Sequence, residues 1–353
     1  MTASIFDGHF LQCTLDNPLH FEPHSWLTDT GLRISHVANG VLEILPHDSE
    51  TSIIISSGIH GDETAPIELV DRLASDIITG KLVPKVRLLL IIAHPQAILA
   101  HTRFIEENLN RLFNGINEEK NEERALANLY QHCVEAFFAP APLGAERWHF
   151  DLHSAIRNSA HYMFAVVPAT SHPCDIRPLI QVLDDAEMNA VMFSRTPSST
   201  FSWFSCEKFG AIGATLEMGR VAPLYQNDMT EFEPLRKTLC NMLVQDKNSL
   251  LKKEPTRLES YKVTRTITKY TDHFSLSFSD DAANFTQFDT GELLAQEGGI
   301  EYRAAEGGEA VVFPNSKVAN GQRACLMVQS FSYDWSKPLY VNIDADPGPL
   351  HIG

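Results

Sequence analysis

The sequence has little positive charge and no long apolar run. It carries 28 Lys and Arg residues against 45 Asp and Glu residues, which gives a formal net charge of −17 over 353 residues. This acidic surplus repels the phosphate backbone of DNA and RNA, so we expect no nucleic-acid partner. No stretch approaches the roughly 20 apolar residues that a membrane-spanning helix needs, so we expect no membrane association either.

Cysteine pairs at metal-binding or redox spacing are also absent. The six cysteines, at positions 13, 133, 174, 206, 240 and 325, are scattered and form no CxxC motif. A chain of this length needs no disulfide to hold its fold, so we interpret them as reduced, mostly buried thiols. The first residues lack the basic and apolar regions of a secretory signal. We therefore expect a cytoplasmic protein.

Up to about residue 245, short apolar runs alternate with helical patterns. Apolar runs predict strands at residues 52–56, 86–93, 148–152, 162–167, 190–193 and 211–216. Apolar residues at helical spacing predict helices at residues 65–78, 122–138 and 228–243. This alternation is typical of an α/β fold, in which helices cover the faces of a sheet.

A change of composition predicts a domain boundary. Residues 245–255 are polar and lysine-rich before a proline, which is typical of a linker. Beyond them, polar residues alternate with apolar or aromatic ones between Gly, Asp and Asn turns, which predicts a smaller all-β domain. We place a catalytic α/β domain at residues 1–246 and a C-terminal β domain at residues 256–353.

A histidine and a glutamate follow the first of the predicted strands. His60 and Glu63 lie in IIISSGIHGDETAPIEL, between a strand and a helix, with Gly58 and Gly61 beside them. Ligands of α/β sheets bind beyond the carboxyl ends of strands, and glycines allow close approach there. A bare HxxE spacing is common in exposed ion pairs. Its strand-to-helix context favours a metal site here.

A third ligand comes from a second predicted strand. Catalytic zinc commonly takes two His and one Glu, with the fourth position left to water. His153, which closes the strand in WHFDLHSAIRNS, would complete this set, and His149 on the same strand face is the alternative. Asp151 is placed to orient a neighbouring histidine. The sequence thus predicts one zinc ion per chain.

A carboxylate ends the last long strand. Glu217 lies in GAIGATLEMGRVAP, where it is either a solvated side chain or a catalytic group. Glutamate is rarely buried unless it is paired. In the functional reading it takes a proton from metal-activated water and delivers it to the leaving amine.

A cationic cluster lies in HTRFIEENLNRLFNG, which contains Arg103, Asn110 and Arg111. Arginine forks bind carboxylates, and a cation near the scissile carbonyl stabilises the developing oxyanion. The alternative is that these arginines form surface ion pairs with Glu106 and Glu107. The functional reading predicts a small-molecule substrate with several carboxylates.

Several segments together resemble a known family. The segments GIHGDETAP, NRLF, DLHSAIR, TLEMGRVAPLYQND and EYRAAEGGEAVVFPNSKVANGQRA closely resemble the succinylglutamate desuccinylase/aspartoacylase family, a branch of the zinc carboxypeptidase-like fold. The resemblance runs through nearly the whole chain. It implies a mixed sheet flanked by helices, with a smaller C-terminal all-β domain.

The resemblance also implies roles for individual residues. It places zinc on His60, Glu63 and His153 and makes Glu217 the catalytic carboxylate. It assigns the binding of a substrate carboxylate and the polarisation of the scissile carbonyl to Arg103, Asn110 and Arg111, and a second carboxylate to Arg157. Two positions depart from the family pattern, His94 for an Asn and Asn108 for an Asp, and they bear on the hydrogen bonds that would orient Arg111.

The reaction implied is hydrolysis of N2-succinyl-L-glutamate to succinate and L-glutamate, the closing step of the succinyltransferase route of arginine breakdown. One alternative is an aspartoacylase-like enzyme that uses the same chemistry on another N-acyl amino acid. The other alternative is a zinc-dependent binding protein without catalysis, which would need no general base such as Glu217.

Overall fold

Strands and helices alternate through the first two thirds of the chain. The computed structural model describes residues 5–16, 21–141, 144–245, 254–255 and 257–343. The strands of the first part are β1 (His24–Leu27), β2 (Arg33–Ala38), β3 (Val41–Leu45), β4 (Thr51–Ser57), β5 (Arg87–Ile92), β6 (Glu146–Ala155), β7 (Met163–Val167), β8 (Ala190–Phe193) and β9 (Ile212–Arg220). The helices are α1 (Phe10–Asp16), α2 (Thr64–Ile78), α3 (Pro95–Ala100), α4 (Glu122–Phe138), α5 (Arg177–Asp185), α6 (Phe201–Phe209) and α7 (Glu233–Val244).

The predicted elements of this part are confirmed, with one division. The six predicted strands correspond to β4 through β9, and the first two predicted helices are α2 and α4. The helix predicted at residues 228–243 is split into a 3-10 turn, Met229–Phe232, and α7. A continuous α-helix would need an N–H at position 234 to bond the carbonyl of Thr230, and Pro234 has none.

A single mixed sheet runs through most of the described chain. Its strand order is β1-β2-β3-β5-β4-β6-β9-β7-β8-β10-β16-β15-β12, where β10 to β16 belong to the C-terminal part defined below. Four central strands, β5, β4, β6 and β9, are parallel to one another. Their carboxyl ends therefore meet at one edge of the sheet, as the position of the predicted metal ligands requires.

Helices cover both faces of the central strands. Along β4 the side chains alternate, so that Ile53 and Ile55 belong to one buried cluster with Leu73 of α2, while Ile54 belongs to another with Tyr130 of α4. All three isoleucines are at most 1% exposed. A strand buried on both faces reads as a continuous apolar run, which is why β4 was predictable.

All regular elements described after residue 256 are strands, which confirms the smaller all-β region. They are β10 (Glu259–Thr268), β11 (Ser275–Leu276), β12 (Thr286–Phe288), β13 (Leu293–Glu297), β14 (Ile300–Arg303), β15 (Glu309–Val312) and β16 (Arg323–Ser330). Strand β10 pairs in parallel with β8, so it extends the large sheet, while β11, β13 and β14 form a separate small sheet. The linker at residues 245–255 lies mostly outside the described residues, and the domain limits stay predictions.

The cysteines are less buried than predicted. All six are free, but only Cys206 and Cys325 are buried, and the other four are partly exposed. None of the helices in the described ranges is long and apolar enough to cross a membrane.

Candidate active site

The loop between β4 and α2 carries His60 and Glu63. Glu63 is the residue that precedes the first turn of α2. The loop is pressed against α3, because a Cβ on Gly61 would lie 2.1 Å from the backbone of Ala97. The Gly61 N–H also donates to the carbonyl oxygen of Arg103 at 3.2 Å. Only glycine allows this approach, so Gly61 fixes the position of both neighbouring side chains.

His153 reaches the same point from β6. Its Nδ1 lies 2.8 Å from Glu63 Oε2, and His60 Nδ1 lies 2.9 Å from Glu63 Oε1. The two Nδ1 atoms are 3.2 Å apart. The three ligand atoms all lie within 4.8 Å of one another, and each residue is 2% exposed. The structure thus brings the three predicted ligands together in a buried cluster.

The opposite nitrogen of each imidazole has an oxygen acceptor. His60 Nε2 lies 3.0 Å from Asn108 Oδ1, and His153 Nε2 lies 3.1 Å from Asp151 Oδ2. These oxygens favour a proton on Nε2, which directs both Nδ1 lone pairs toward the Glu63 carboxylate. Two such lone pairs and a carboxylate oxygen are the donors of a catalytic zinc site, so the residues fit this metal.

The charge balance of the cluster also fits a cation. Burial would raise the pKa of Glu63, but the two histidines and Arg103 hold it well below its usual range. Burial would likewise lower the pKa of His153, but the carboxylates of Asp151 and Glu63 raise it well above its ordinary value. Burial lowers the pKa of His60 to about 4. Glu63 is therefore held as an anion between the two imidazoles, and this negative charge suits a bound cation.

His149, the alternative third ligand, lies in a separate hydrogen-bonded network. Its Nε2 is 2.9 Å from Ser56 Oγ and its Nδ1 is 2.8 Å from Ser205 Oγ. The Ser56 hydroxyl donates to Asp151 Oδ1 at 2.6 Å, so this network supports the carboxylate behind His153. The geometry brings His153, and not His149, into the cluster with His60 and Glu63.

Glu217 is buried beside His153. The two residues are opposite each other on the paired strands β9 and β6, and Glu217 is 9% exposed. Burial, reinforced by the negative charge of Glu63, raises the pKa of the Glu217 carboxyl to about 7. No residue in the described ranges hydrogen-bonds this carboxylate through its side chain. It is therefore a buried group poised near neutrality and not the solvated carboxylate of the alternative reading.

Arg103 and Asn110 both touch the metal cluster. Arg103 Nη1 donates to Glu63 Oε1 at 2.6 Å. The Asn110 amide nitrogen lies 3.3 Å from His153 Nε2, and its oxygen accepts the N–H of Phe201 at 2.9 Å. The predicted cationic segment therefore lies over the three ligands.

Arg111 ends the 3-10 turn Leu109–Arg111, directly after Asn110. Its side chain is exposed and donates to the Asn110 carbonyl oxygen at 2.7 Å. Partial desolvation and the positive charges of Arg323 and Arg103 lower its pKa to about 9. The surface-pair alternative is not observed, because Glu107 pairs with Arg124 instead.

Arg157 contacts the C-terminal region. Its Nε donates to the carbonyl oxygen of Asp280 at 2.6 Å. Among the hydrogen bonds of the described residues, none joins Arg157 to the metal cluster. Its predicted role in substrate binding stays a prediction.

The two positions that depart from the family pattern have defined contacts. Asn108 Oδ1 accepts the N–H of Asn110 at 3.0 Å as well as facing His60, so it orients a metal ligand. His94 is fully buried, with Nε2 3.2 Å from Glu123 Oε1. Glu123 Oε1 also accepts the N–H groups of Ile105 and Glu106, which lie two and three residues after Arg103. The pair therefore anchors the cationic segment.

Two family models cover most of the chain. Residues 49–243 match the succinylglutamate desuccinylase/aspartoacylase catalytic domain, and residues 256–330 match the AstE/AspA barrel-sandwich hybrid domain. The chain belongs to the succinylglutamate desuccinylase/aspartoacylase family. The resemblance seen in its motifs and the fold that it implied are thereby confirmed.

Relatives of this family are similar over nearly their whole length. The chain is 44% identical to the succinylglutamate desuccinylase of Vibrio campbellii, over 93% of this chain and 96% of that protein. The crystal structure of the succinylglutamate desuccinylase of Vibrio parahaemolyticus matches with a TM-score of 0.87 and 41% identity, over 96% of this chain and all of that one. Murine aminoacylase 3 matches with a TM-score of 0.55 and 16% identity, over 84% of this chain and 98% of that one, which shows the fold alone.

One residue of the cleft escaped the sequence analysis. Arg323 begins β16 in the C-terminal region, and its positive charge acts on both Arg111 and Glu217. More than a hundred residues separate it from each of them in the chain. In the sequence, nothing apart from the positive charge of Arg323 indicates that it belongs to the site.

Proposed function

We propose that the chain is a zinc-dependent amidohydrolase that cleaves N2-succinyl-L-glutamate to succinate and L-glutamate. The observation that carries this proposal is the convergence of His60, Glu63 and His153 with Glu217 beside them in register. Relatives with more than 40% identity that bear the name succinylglutamate desuccinylase support the choice of substrate. In this role the enzyme completes arginine breakdown by the succinyltransferase route in the cytoplasm.

The metal would be held by the two Nδ1 atoms of His60 and His153 and by the Glu63 carboxylate. Bound zinc would supply Lewis-acid polarisation of the scissile carbonyl and activation of a water molecule. Asn108 and Asp151 keep the ligand rings in the orientation that presents Nδ1, as outer hydrogen bonds to metal ligands generally do.

Glu217 is the proton carrier of the proposed reaction. With a pKa near 7, its carboxylate accepts the proton of the attacking water at neutral pH, and its acid form then protonates the leaving amine nitrogen of glutamate. Its burial excludes competing water from this transfer. A binding protein without catalysis would not need such a group, which argues against that alternative.

The arginines account for a polyanionic substrate. We assign one substrate carboxylate and polarisation of the carbonyl oxygen to Arg103, Asn110 and Arg111, and a second carboxylate to Arg157. Guanidinium groups bind carboxylates as planar forks, so replacing them by ammonium groups would not preserve the contact. The chain as a whole has a charge of −17 and repels anions, so local arginines are needed to attract an anionic substrate to the site.

A substrate panel with metal analysis tests the proposal. We expect about one zinc per purified chain, loss of activity on chelation, and restoration by zinc. Turnover of N-succinylglutamate should greatly exceed that of N-acetylaspartate or a dipeptide, because those substrates lack one or more carboxylates for the arginines. Equal kcat/KM on N-acetylaspartate would favour the aspartoacylase-like alternative, and no hydrolysis of any of them by the zinc-loaded protein would refute the proposal.

A further inference from the structure

Arg323 has no anionic partner among the residues that the structure describes. Its guanidinium lies over the ring of Phe313, with Cζ 5.7 Å from the ring centroid, and the residue is half-buried. No ion pair or side-chain hydrogen bond of Arg323 is present within the described residues. Other arginines of the same region are paired, Arg265 with Glu309 and Arg303 with Glu301. A partly desolvated cation with no counterion is costly, so this one calls for an explanation.

Arg323 adds to a group of positive charges over the proposed reaction centre. Phe313, on which it stacks, has its ring centroid 5.8 Å from that of Phe164, and Phe164 is paired with Glu217 across β7 and β9. The charge of Arg323 also contributes to lowering the pKa of Arg111, which lacks an ion-pair partner among the described residues. Arg103 also acts on Arg111 but is already paired with Glu63. Two guanidinium groups that repel each other, neither with a counterion among the described residues, destabilise the protein when no ligand is bound. A ligand with carboxylates would relieve this repulsion.

Arg323 and Arg111 come from different parts of the chain. Arg111 ends the 3-10 turn Leu109–Arg111 over the metal cluster, whereas Arg323 opens β16 of the C-terminal β region. Packing against Phe313 holds the Arg323 guanidinium, since stacking on an aromatic ring limits its rotamers. A guanidinium that is held in place, has no counterion among the described residues and lies close enough to a second cation to lower its pKa has the features of a carboxylate receptor.

We propose that Arg323 binds one of the carboxylates of the substrate, so that the C-terminal β region contributes directly to substrate selection. This inference rests on the proposed function, since it concerns which groups of that substrate are recognised. In this proposal the Arg323 guanidinium contacts the substrate as well as the ring of Phe313.

The test compares kcat/KM of Arg323 variants on N-succinylglutamate and on three analogues that each lack one of its carboxylates, as in a double-mutant cycle. N-butyrylglutamate lacks the acyl carboxylate, N-succinylnorvaline the side-chain carboxylate, and N-succinyl-4-aminobutyrate the α-carboxylate. The variants are Arg323→Met, which keeps length and packing, and Arg323→Lys, which keeps charge without the fork. Arg303→Met is the matched control, since Arg303 is exposed in the same region and paired with Glu301.

We expect Arg323→Met to lower kcat/KM on N-succinylglutamate about 10-fold to 100-fold, the range for a charged hydrogen bond. The loss should shrink to about 2-fold on one of the three analogues, which identifies the carboxylate that Arg323 binds. Arg323→Lys should recover part of the loss, and Arg303→Met should behave like the wild type.

Two results would overturn the inference. An equal loss on all four substrates, together with a shifted pH–rate profile, would mean that Arg323 acts on Glu217 and not on the ligand. Unchanged kcat/KM on N-succinylglutamate would mean that it has no role in the cleft. If the zinc-loaded wild type hydrolyses none of the substrates, the proposed function itself fails. The Kd of N-succinylglutamate, measured by calorimetry with and without Arg323→Met, then decides the inference separately.

Discussion

Replacing Glu217 by Gln removes the proposed proton acceptor while keeping the size of the side chain. If Glu217 is the general base, kcat on N-succinylglutamate should fall about 10²-fold to 10⁴-fold, the range typical of acid/base catalysis. Zinc content should stay the same, because His60, Glu63 and His153 all remain. The Kd for substrate should change little, since the arginines also remain.

The same substitution should stabilise the metal-free protein at alkaline pH. Burial raises the pKa of the Glu217 carboxyl from its ordinary 4.5 to about 7 in the folded chain. The folded state therefore holds this proton more tightly than the unfolded state, so stability is lost as pH rises from 4.5 through 7. The shift corresponds to a penalty on the order of 3 kcal/mol above that window, which Gln does not carry.

The assay is urea unfolding of chelated wild type and Glu217→Gln at pH 5 and pH 8, beside kcat of the zinc-loaded forms. The variant should gain stability relative to the wild type at pH 8 and gain little at pH 5. Substituting a catalytic group thus lowers the activity of the protein and raises its stability, whereas substituting a structural group lowers both. Near-normal kcat in the variant would refute the proposed mechanism, and loss of zinc would show that Glu217 is a ligand.

Two further predictions concern the proposed metal ligands and the buried His36. Metal analysis should show that His60→Ala, Glu63→Ala and His153→Ala each lose most of the bound zinc, because three ligands share the metal. The control is His132→Ala, at an exposed position on α4, which should leave the zinc content unchanged. Full retention of zinc in any of the first three variants would mean that the substituted residue is not a ligand. Burial lowers the pKa of His36 from 6.5 to about 4, so its contribution, on the order of 3 kcal/mol, is present above pH 6.5 and lost as pH falls toward 4. Urea unfolding of the chelated protein should show a weaker loss of stability between pH 7 and pH 5 in His36→Asn than in wild type, and parallel curves would contradict this.

The central strands and the metal ligands were predictable because their signals are local. Strand β4 is buried on both faces and so reads as an unbroken apolar run, and His60 and Glu63 follow it within six residues. The sequence indicated His153 by the same rule, at the end of β6. Residue spacing alone left His149 as an alternative to His153, because both side chains lie on one face of the strand, and the family resemblance favoured His153. The coordinates show that His149 instead lies between the hydroxyls of Ser56 and Ser205.

Contacts between distant segments were not predictable. Nothing in the sequence near Arg323 connects it with Arg111 or Glu217, because β16 reaches the cleft only through the packing of the C-terminal region. The interruption before α7 was local, by contrast, and Pro234 could have indicated it. The pairing of β10 with β8 also depends on tertiary packing, since strand patterns do not specify partners.

Because β8 pairs in parallel with β10, the large sheet is built from strands of both regions. Glu259 to Lys262 follow Ala190 to Phe193 residue for residue, so the backbone groups on that side of β8 are satisfied by the chain beyond the linker. A fragment that stops before residue 246 would leave β8, whose four residues are all buried in the full chain, as an unpaired edge strand. Its Met192 belongs to the same apolar cluster as Phe164 of β7. Such an edge is a template for pairing with another copy. The catalytic half is therefore a poor candidate for separate expression, however clearly its sequence match ends at residue 243.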